Sequence, residues 1–184
     1  MPWDAVLDFL HRRQGLLDGV VFSGGEPTAQ PELADAMRDV RALGFRVGLH
    51  TGGAYPRRLA NVLPLTDWVG LDAKAPYADY ARITGVAGSG DAARQSLDLV
   101  LASGVAHEIR TTVHPALLAD AEVVELARTL AERGAQTVVL QPFRSQGCAD
   151  AVLKRNTERN WPWASLSERV AAVFAHTPAI RAAD

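Results

Sequence analysis

Apolar residues in this chain follow two spacings, short runs of neighbours and a recurrence every three or four positions. The first spacing predicts strands at residues 20–23, 45–51, 68–74, 107–114 and 137–143. The second predicts helices at 3–13, where Val6, Leu7 and Leu10 share a face, and at 31–43, 56–63, 92–103 and 120–133. Local chemistry marks the ends. Pro31 opens a helix where a missing N–H costs nothing, Gly44, Gly104 and Gly134 follow helices, and Asp120 is an expected cap. Ser165 and Glu168 have capping-box spacing before Val170, Val173 and Phe174, which predicts a last helix, with a short strand at 179–181 beyond it. Residues 75–90 show no period and read as a long glycine-rich loop, a feature that in compact domains is usually functional or mobile. Residues 147–162 give no clear pattern.

Strand followed by helix, repeated about five or six times, predicts an α/β fold with parallel strands. An open doubly wound sheet and a partial β/α (TIM-like) barrel both satisfy that order. Because successive strand residues face opposite sides, Arg110, Thr112 and His114 share one face and Ile109, Thr111 and Val113 the other, while Asp72 and Lys74 lie together opposite Leu71 and Ala73. An open sheet covered by helices wants apolar residues on both faces, whereas an incomplete barrel can carry polar groups inside, so the polar face favours the partial barrel. No linker or low-complexity tract divides the sequence, and residues 1–184 read as one domain.

Composition narrows the partners. With 48% hydrophobic and 22% charged residues, the chain has material for a real core. Nineteen basic against 21 acidic residues give a formal charge of -2, which offers no electrostatic case for a nucleic-acid or membrane partner. There is no apolar run of membrane-spanning length, and the opening residues do not resemble a signal peptide, so a cytoplasmic location is expected. Cys148 is the single cysteine, too few for a disulfide or for a thiolate-held zinc or iron–sulfur site.

Polar residues gather where parallel α/β folds place their sites, after the C-terminal ends of strands. Ser23-Gly24-Gly25-Glu26-Pro27 follows the first strand, with glycines that let a ligand approach the backbone and a carboxylate suited to an ammonium group. His50-Thr51-Gly52-Gly53 ends the second. Asp72 and Lys74 suit the two ends of a zwitterion, and equally an ion pair along the strand. Arg110 offers a fork for a carboxylate, or a buried partner for Glu26 or Asp72, with His114 further along; Gln141, Phe143 and Arg144 end the next strand. Each signal alone also fits an ordinary turn or core packing. Their recurrence at one end of consecutive strands is what singles them out.

The ordered strings Val21-Phe22-Ser23-Gly24-Gly25-Glu26-Pro27, Thr51-Gly52, Asp72-Ala73-Lys74, Arg110-Thr111-Thr112-Val113-His114-Pro115 and Gln141-Pro142-Phe143 resemble the radical S-adenosylmethionine superfamily. Within it, the likeness is greatest to anaerobic ribonucleoside-triphosphate reductase activating proteins and pyruvate formate-lyase activating enzymes. The resemblance implies a partial β/α barrel that binds S-adenosylmethionine on a 4Fe–4S cluster. Its cleavage there gives a deoxyadenosyl radical that takes a hydrogen atom from a glycine of the partner, a glycyl radical enzyme. By the same resemblance Gly24, Gly25 and Glu26 hold the methionine amino group, Thr51 and Gly52 line the methionine and ribose, Asp72, Lys74 and Arg110 contact the cofactor, and His114 and Gln141 neighbour it.

One departure is large. Family members carry a Cys-x-x-x-Cys-x-x-Cys loop after a first barrel strand, ahead of the Gly-Gly-Glu-Pro strand, and only a short predicted helix precedes that strand here. The reading is therefore a barrel domain lacking its first strand and cluster loop, either a fragment or a protein that has lost radical chemistry. The intact cofactor-facing residues favour the fragment. Inactivity of the chain by itself is expected, as is self-association through the sheet edge that a missing strand exposes. Two alternatives belong to other classes: a non-catalytic module that binds S-adenosylmethionine or the partner, and a lyase in which Lys74 forms a Schiff base.

Overall fold

A computed structural model describes residues 1–136, 138–146, 148–155, 163–174 and 179–180. Strand and helix alternate as the periodicity requires: α1 (Trp3–His11), β1 (Gly19–Phe22), α2 (Leu33–Ala42), β2 (Arg46–Thr51), α3 (Pro56–Val62), β3 (Trp68–Asp72), α4 (Tyr80–Thr84), α5 (Ser89–Ser103), β4 (Ala106–Val113), α6 (Asp120–Glu132), β5 (Val139–Pro142), α7 (Ala151–Arg155), α8 (Trp163–Phe174) and β6 (Ala179–Ile180). The chain forms two compact units, one of Met1–Leu71 with Gln95–His107, the other of Asp72–Arg94 with Glu108–Asp184.

In the first unit β1 and β2 are parallel, with Val21 opposite Gly48 and Phe22 opposite Leu49, and β2 runs parallel to β3, with Thr51 opposite Leu71. This register sets the loops after β1 and β2 at the same end. The core is aliphatic, with Met37 and Val40 of α2, Val47 and Leu49 of β2, and Leu59 of α3 withdrawn from solvent. Along β2 the residues alternate, with Val47, Leu49 and Thr51 buried on one face and, on the other, Arg46 exposed, Gly48 buried and His50 half-buried.

In the second unit β4 and β5 are parallel, with Arg110 opposite Val139 and Thr112 opposite Gln141, and β5 is parallel to β6. The Ala73 N–H donates to the Arg110 carbonyl at 2.8 Å, which carries the chain just beyond β3 alongside β4. Ile109, Val113, Leu126, Leu130, Leu140, Leu166 and Val170 fill this core.

Three local expectations need correction. Residues 75–90 are not a bare loop: a 3₁₀ turn (Tyr77–Asp79) leads into α4, and α5 begins at Ser89. Asp120 is the first residue of α6 rather than its cap; Ala119 holds that position, and its backbone N–H donates to the Glu122 carboxylate at 2.7 Å. Ser165 does not cap α8, which is already helical at Trp163. Thr137, the expected start of β5, and Arg181, the expected end of β6, lie outside the described residues.

Candidate functional site

The loop after β1 turns through two left-handed glycines, Gly24 at φ +90° and Gly25 at φ +53°, a conformation that side-chain-bearing residues rarely adopt. It then delivers Glu26 to the start of a 3₁₀ turn (Pro27–Ala29). The Glu26 carboxylate is enclosed by donors. Oε1 accepts from the Thr28 N–H at 3.1 Å, the Thr28 hydroxyl at 2.5 Å and the Thr51 hydroxyl at 2.7 Å, while Oε2 accepts from the Gly52 N–H at 2.8 Å. Thr51 in turn accepts the Gly53 N–H at 3.0 Å. Glu26, Thr51 and Gly52 are thus brought together as a clamp that ties the glycine loop to the end of β2. Arg58 of α3 supports the same turn, donating to the carbonyls of Thr28 at 3.3 Å and Ala29 at 2.6 Å.

A second set forms in the other unit. Asp72 receives Arg110 twice on Oδ1, from Nε at 3.0 Å and from a terminal guanidinium nitrogen at 2.9 Å. Arg110 is only 6% exposed, so its charge is balanced by Asp72 rather than by water. Of the partners open to Arg110 from the sequence, the structure selects Asp72. Lys74 is exposed. Its backbone N–H donates to the Tyr80 hydroxyl at 2.9 Å.

His114, 1% exposed, is committed at both ring nitrogens. The Ala116 N–H donates to Nδ1 at 3.0 Å, so the ring hydrogen sits on Nε2 and is donated to the Leu153 carbonyl at 3.0 Å. Its ring meets Phe143 edge-on at 4.8 Å. Asp72, Lys74, Thr112, His114, Leu117 and Phe143 are among the residues lining a cavity of about 140 Å³. Gln141, half-buried opposite Thr112, does not line it.

Two larger hollows belong to the first unit. One of about 600 Å³ lies at the strand starts by Gly19, Arg46 and Trp68, away from the candidate residues, and one of about 680 Å³ runs from Trp3 and Phe22 to Ser23 and Gly24. Among the described residues no group of three or more His, Cys, Asp or Glu is arranged to hold a metal ion. No helix among them is long and apolar enough to cross a membrane.

Sequence reasoning missed Thr28 and Tyr80, both buried and both bonded to predicted site residues. Thr28 was within reach, since a hydroxyl two residues after a loop carboxylate commonly bonds it. Tyr80 carried no signal beyond its place in an apparently patternless stretch.

With this geometry in view, the comparison with known families is decisive. Residues 2–130 match the Radical SAM superfamily. The chain belongs to that superfamily. A relative from Methanocaldococcus jannaschii, named as a glycyl-radical enzyme activating enzyme, is 26% identical over 156 residues, 81% of this chain; the chain spans 62% of that relative's length. Among solved structures, a domain of the pyruvate-formate lyase-activating enzyme from Bacteroides vulgatus superposes with a TM-score of 0.65 at 16% identity, over 90% of this chain and all of that one. A structure titled native anSMEcpe with bound AdoMet gives 0.65 at 15% identity, over 98% of this chain and 55% of that one. At such identities the structures speak for fold alone, and the class is the expected one, α/β with parallel strands of the partial-barrel kind.

Radical SAM proteins imply both S-adenosylmethionine and a 4Fe–4S cluster. The glycine loop and the clamp behind it fit the first, a small zwitterionic ligand approaching backbone closely. The 184 residues do not fit the second, because one cysteine cannot supply the several thiolates such a cluster requires.

Proposed function

We propose that this radical SAM chain is the S-adenosylmethionine-binding core of a glycyl-radical enzyme activase, with an anaerobic ribonucleoside-triphosphate reductase as its partner. The observation that carries the reading is the Glu26 clamp. A carboxylate bonded to Thr28, Thr51 and Gly52 fixes two strand-end loops at once, and those loops hold the family's glycine and hydroxyl motifs. The relative named for glycyl-radical enzyme activation and the pyruvate-formate lyase-activating fold support the class.

Gly24, Gly25, Thr51 and Gly52 are the proposed contacts to the methionine and ribose. Glu26 acts behind them: with both oxygens already accepting, its part is to hold the loop in which the methionine ammonium group is received. Asp72, Lys74 and Arg110 are proposed as cofactor contacts in the second set, with the Arg110 guanidinium holding the Asp72 carboxylate in one orientation. His114 and Gln141 complete that set, His114 as packing support, since neither ring nitrogen is available to a ligand.

Bound S-adenosylmethionine would supply a sulfonium whose reductive cleavage drives radical chemistry, and that step needs a cluster these residues cannot hold. The polypeptide of 184 residues is therefore proposed to bind the cofactor without cleaving it. The Schiff-base alternative fares less well, because such a lysine is activated by a desolvating pocket and Lys74 is exposed.

Titration calorimetry with S-adenosylmethionine tests the reading. Binding is expected, with Glu26→Ala and Asp72→Ala each weakening it by about tenfold or more. Unchanged affinity in both variants would overturn the site assignment. Anaerobic treatment with iron and sulfide followed by a deoxyadenosine assay is expected to give no product, and a pull-down with the reductase checks the partner.

A further inference from the structure

The stretch between β3 and α5 contributes a side chain that nothing in the motif pattern assigns. Tyr80 opens α4 and is 2% exposed, yet its hydroxyl reaches back to the Asp72-Ala73-Lys74 segment. There it accepts the Lys74 N–H at 2.9 Å and lies 3.4 Å from the Asp72 carbonyl, to which it donates. Burial raises the phenol above its ordinary range, with the Lys74 N–H opposing that rise, so the group stays neutral and keeps the hydrogen it donates.

The ring that carries this hydroxyl is itself fixed. It stacks on Tyr77 at 5.9 Å between centroids, and the Tyr80 carbonyl accepts the Thr84 hydroxyl at 2.9 Å. Gly90, in the first turn of α5, packs so tightly here that a Cβ would stand 2.1 Å from the Tyr77 carbonyl oxygen and 3.3 Å from the Tyr80 Cβ. That contact with backbone leaves the Tyr77–Tyr80 turn little room to shift.

We propose that Tyr80 is a positioning residue for the Asp72–Lys74 pair, its hydroxyl holding the backbone on which both charged side chains are mounted. The assignment rests on the reading of Asp72 and Lys74 as S-adenosylmethionine contacts. Arg110 orients the Asp72 side chain, Ala73 is held to the Arg110 carbonyl, and Tyr80 fixes the main chain on either side of Ala73. A lysine stem is flexible, so the placement of its ammonium group depends on how firmly its own backbone is anchored.

Tyr80→Phe removes the hydroxyl and leaves the ring. Thr66→Val serves as the comparison, since it deletes another buried hydroxyl bond, from Thr66 to the Val62 carbonyl at 2.8 Å, without touching Lys74. Two readouts are taken on the full chain, hydrogen exchange at the Lys74 amide and the dissociation constant for S-adenosylmethionine by calorimetry. Tyr80→Phe is expected to speed Lys74 exchange and to weaken cofactor binding by about fivefold, the equivalent of one lost hydrogen bond, whereas Thr66→Val is expected to lower the melting temperature with neither effect.

Unchanged Lys74 exchange in Tyr80→Phe would overturn the anchoring, and faster exchange with unchanged affinity would overturn the positioning role. Equal loss of affinity in Thr66→Val would do the same, by showing that general destabilisation is enough. Absence of binding by the parent chain would instead sink the cofactor reading and the positioning role with it, while the exchange experiment still decides whether the anchor exists. Should Tyr80→Phe fail to fold, the parent chain carries the test: the Lys74 N–H donates to the Tyr80 hydroxyl, so its amide is expected to be protected from exchange, and exchange at the unfolded-chain rate would overturn the anchoring.

Discussion

At the scale of single residues the clearest object is the Glu26 carboxylate and its four donors. The sequence shows an acceptor in a glycine loop, which suggests a ligand's ammonium group. It does not show that Thr51 and Gly52, some 25 residues later, fold over the same carboxylate. The competing partners come from register, because β1 and β2 bring their ends level, and register is not written in a motif. Glu26→Gln tests the clamp with almost no change in shape. Placed either way, the amide turns an N–H toward a backbone N–H, that of Gly52 or that of Thr28, and neither backbone group can reverse its role. The expected cost is about 1–3 kcal/mol in urea unfolding. A cost near zero would mean that the carboxylate is not enclosed in solution. His114 teaches the same lesson: a histidine at a strand end suggests a site, and only the fold shows Ala116 and Leu153 holding both nitrogens.

At the scale of elements, what was legible follows from length. Helices α2, α5 and α6 and strands β2 and β4 are long enough for a period to emerge, and their expected bounds differ from those observed by no more than a few residues. The 3₁₀ turn and α4 are too short to show one, so residues 75–90 read as a loop although they carry the Tyr80 anchor. Contacts between elements are harder still to read. Ser96 of α5, fully buried, donates to the Gly53 carbonyl at 2.8 Å and so fastens the loop after β2 to a helix that begins dozens of residues later. Gly53 sits at φ +71°, and a Cβ there would lie 2.8 Å from the Ser96 Cβ. Ser96→Ala is therefore expected to cost about 1 kcal/mol, one buried hydrogen bond. Gly53→Ala adds left-handed strain and overpacking and is expected to cost about 2–4 kcal/mol. Thermal unfolding of the two variants checks the order, and equal losses would show that the loop relaxes away from α5.

At the scale of the whole molecule, the alternation of strand and helix was enough to identify the α/β class, because a parallel strand order requires helical crossovers and leaves little other topology to choose from. What association the molecule enters was open to inference only through its edges. Among the described residues β1 pairs with β2 alone, and Val21, on the exposed side of this short strand, keeps 51% of its surface in water. Gly48, its neighbour on β2, has no side chain to cover it: a Cβ at Gly48 would stand 3.0 Å from the Val21 Cγ2. An apolar strand with a free row of backbone donors and acceptors is a template for another strand, whether from a second copy or from any other chain. Sedimentation at rising concentration is expected to show reversible self-association of the parent. Val21→Lys places a charge at that edge, and the lysine stem can lie across Gly48 with its ammonium group in solvent, so folding is expected to survive while association is suppressed. A parent that sediments as a monomer throughout, or a Val21→Lys variant that associates as strongly as the parent, would show that β1 is not the surface through which the chain pairs.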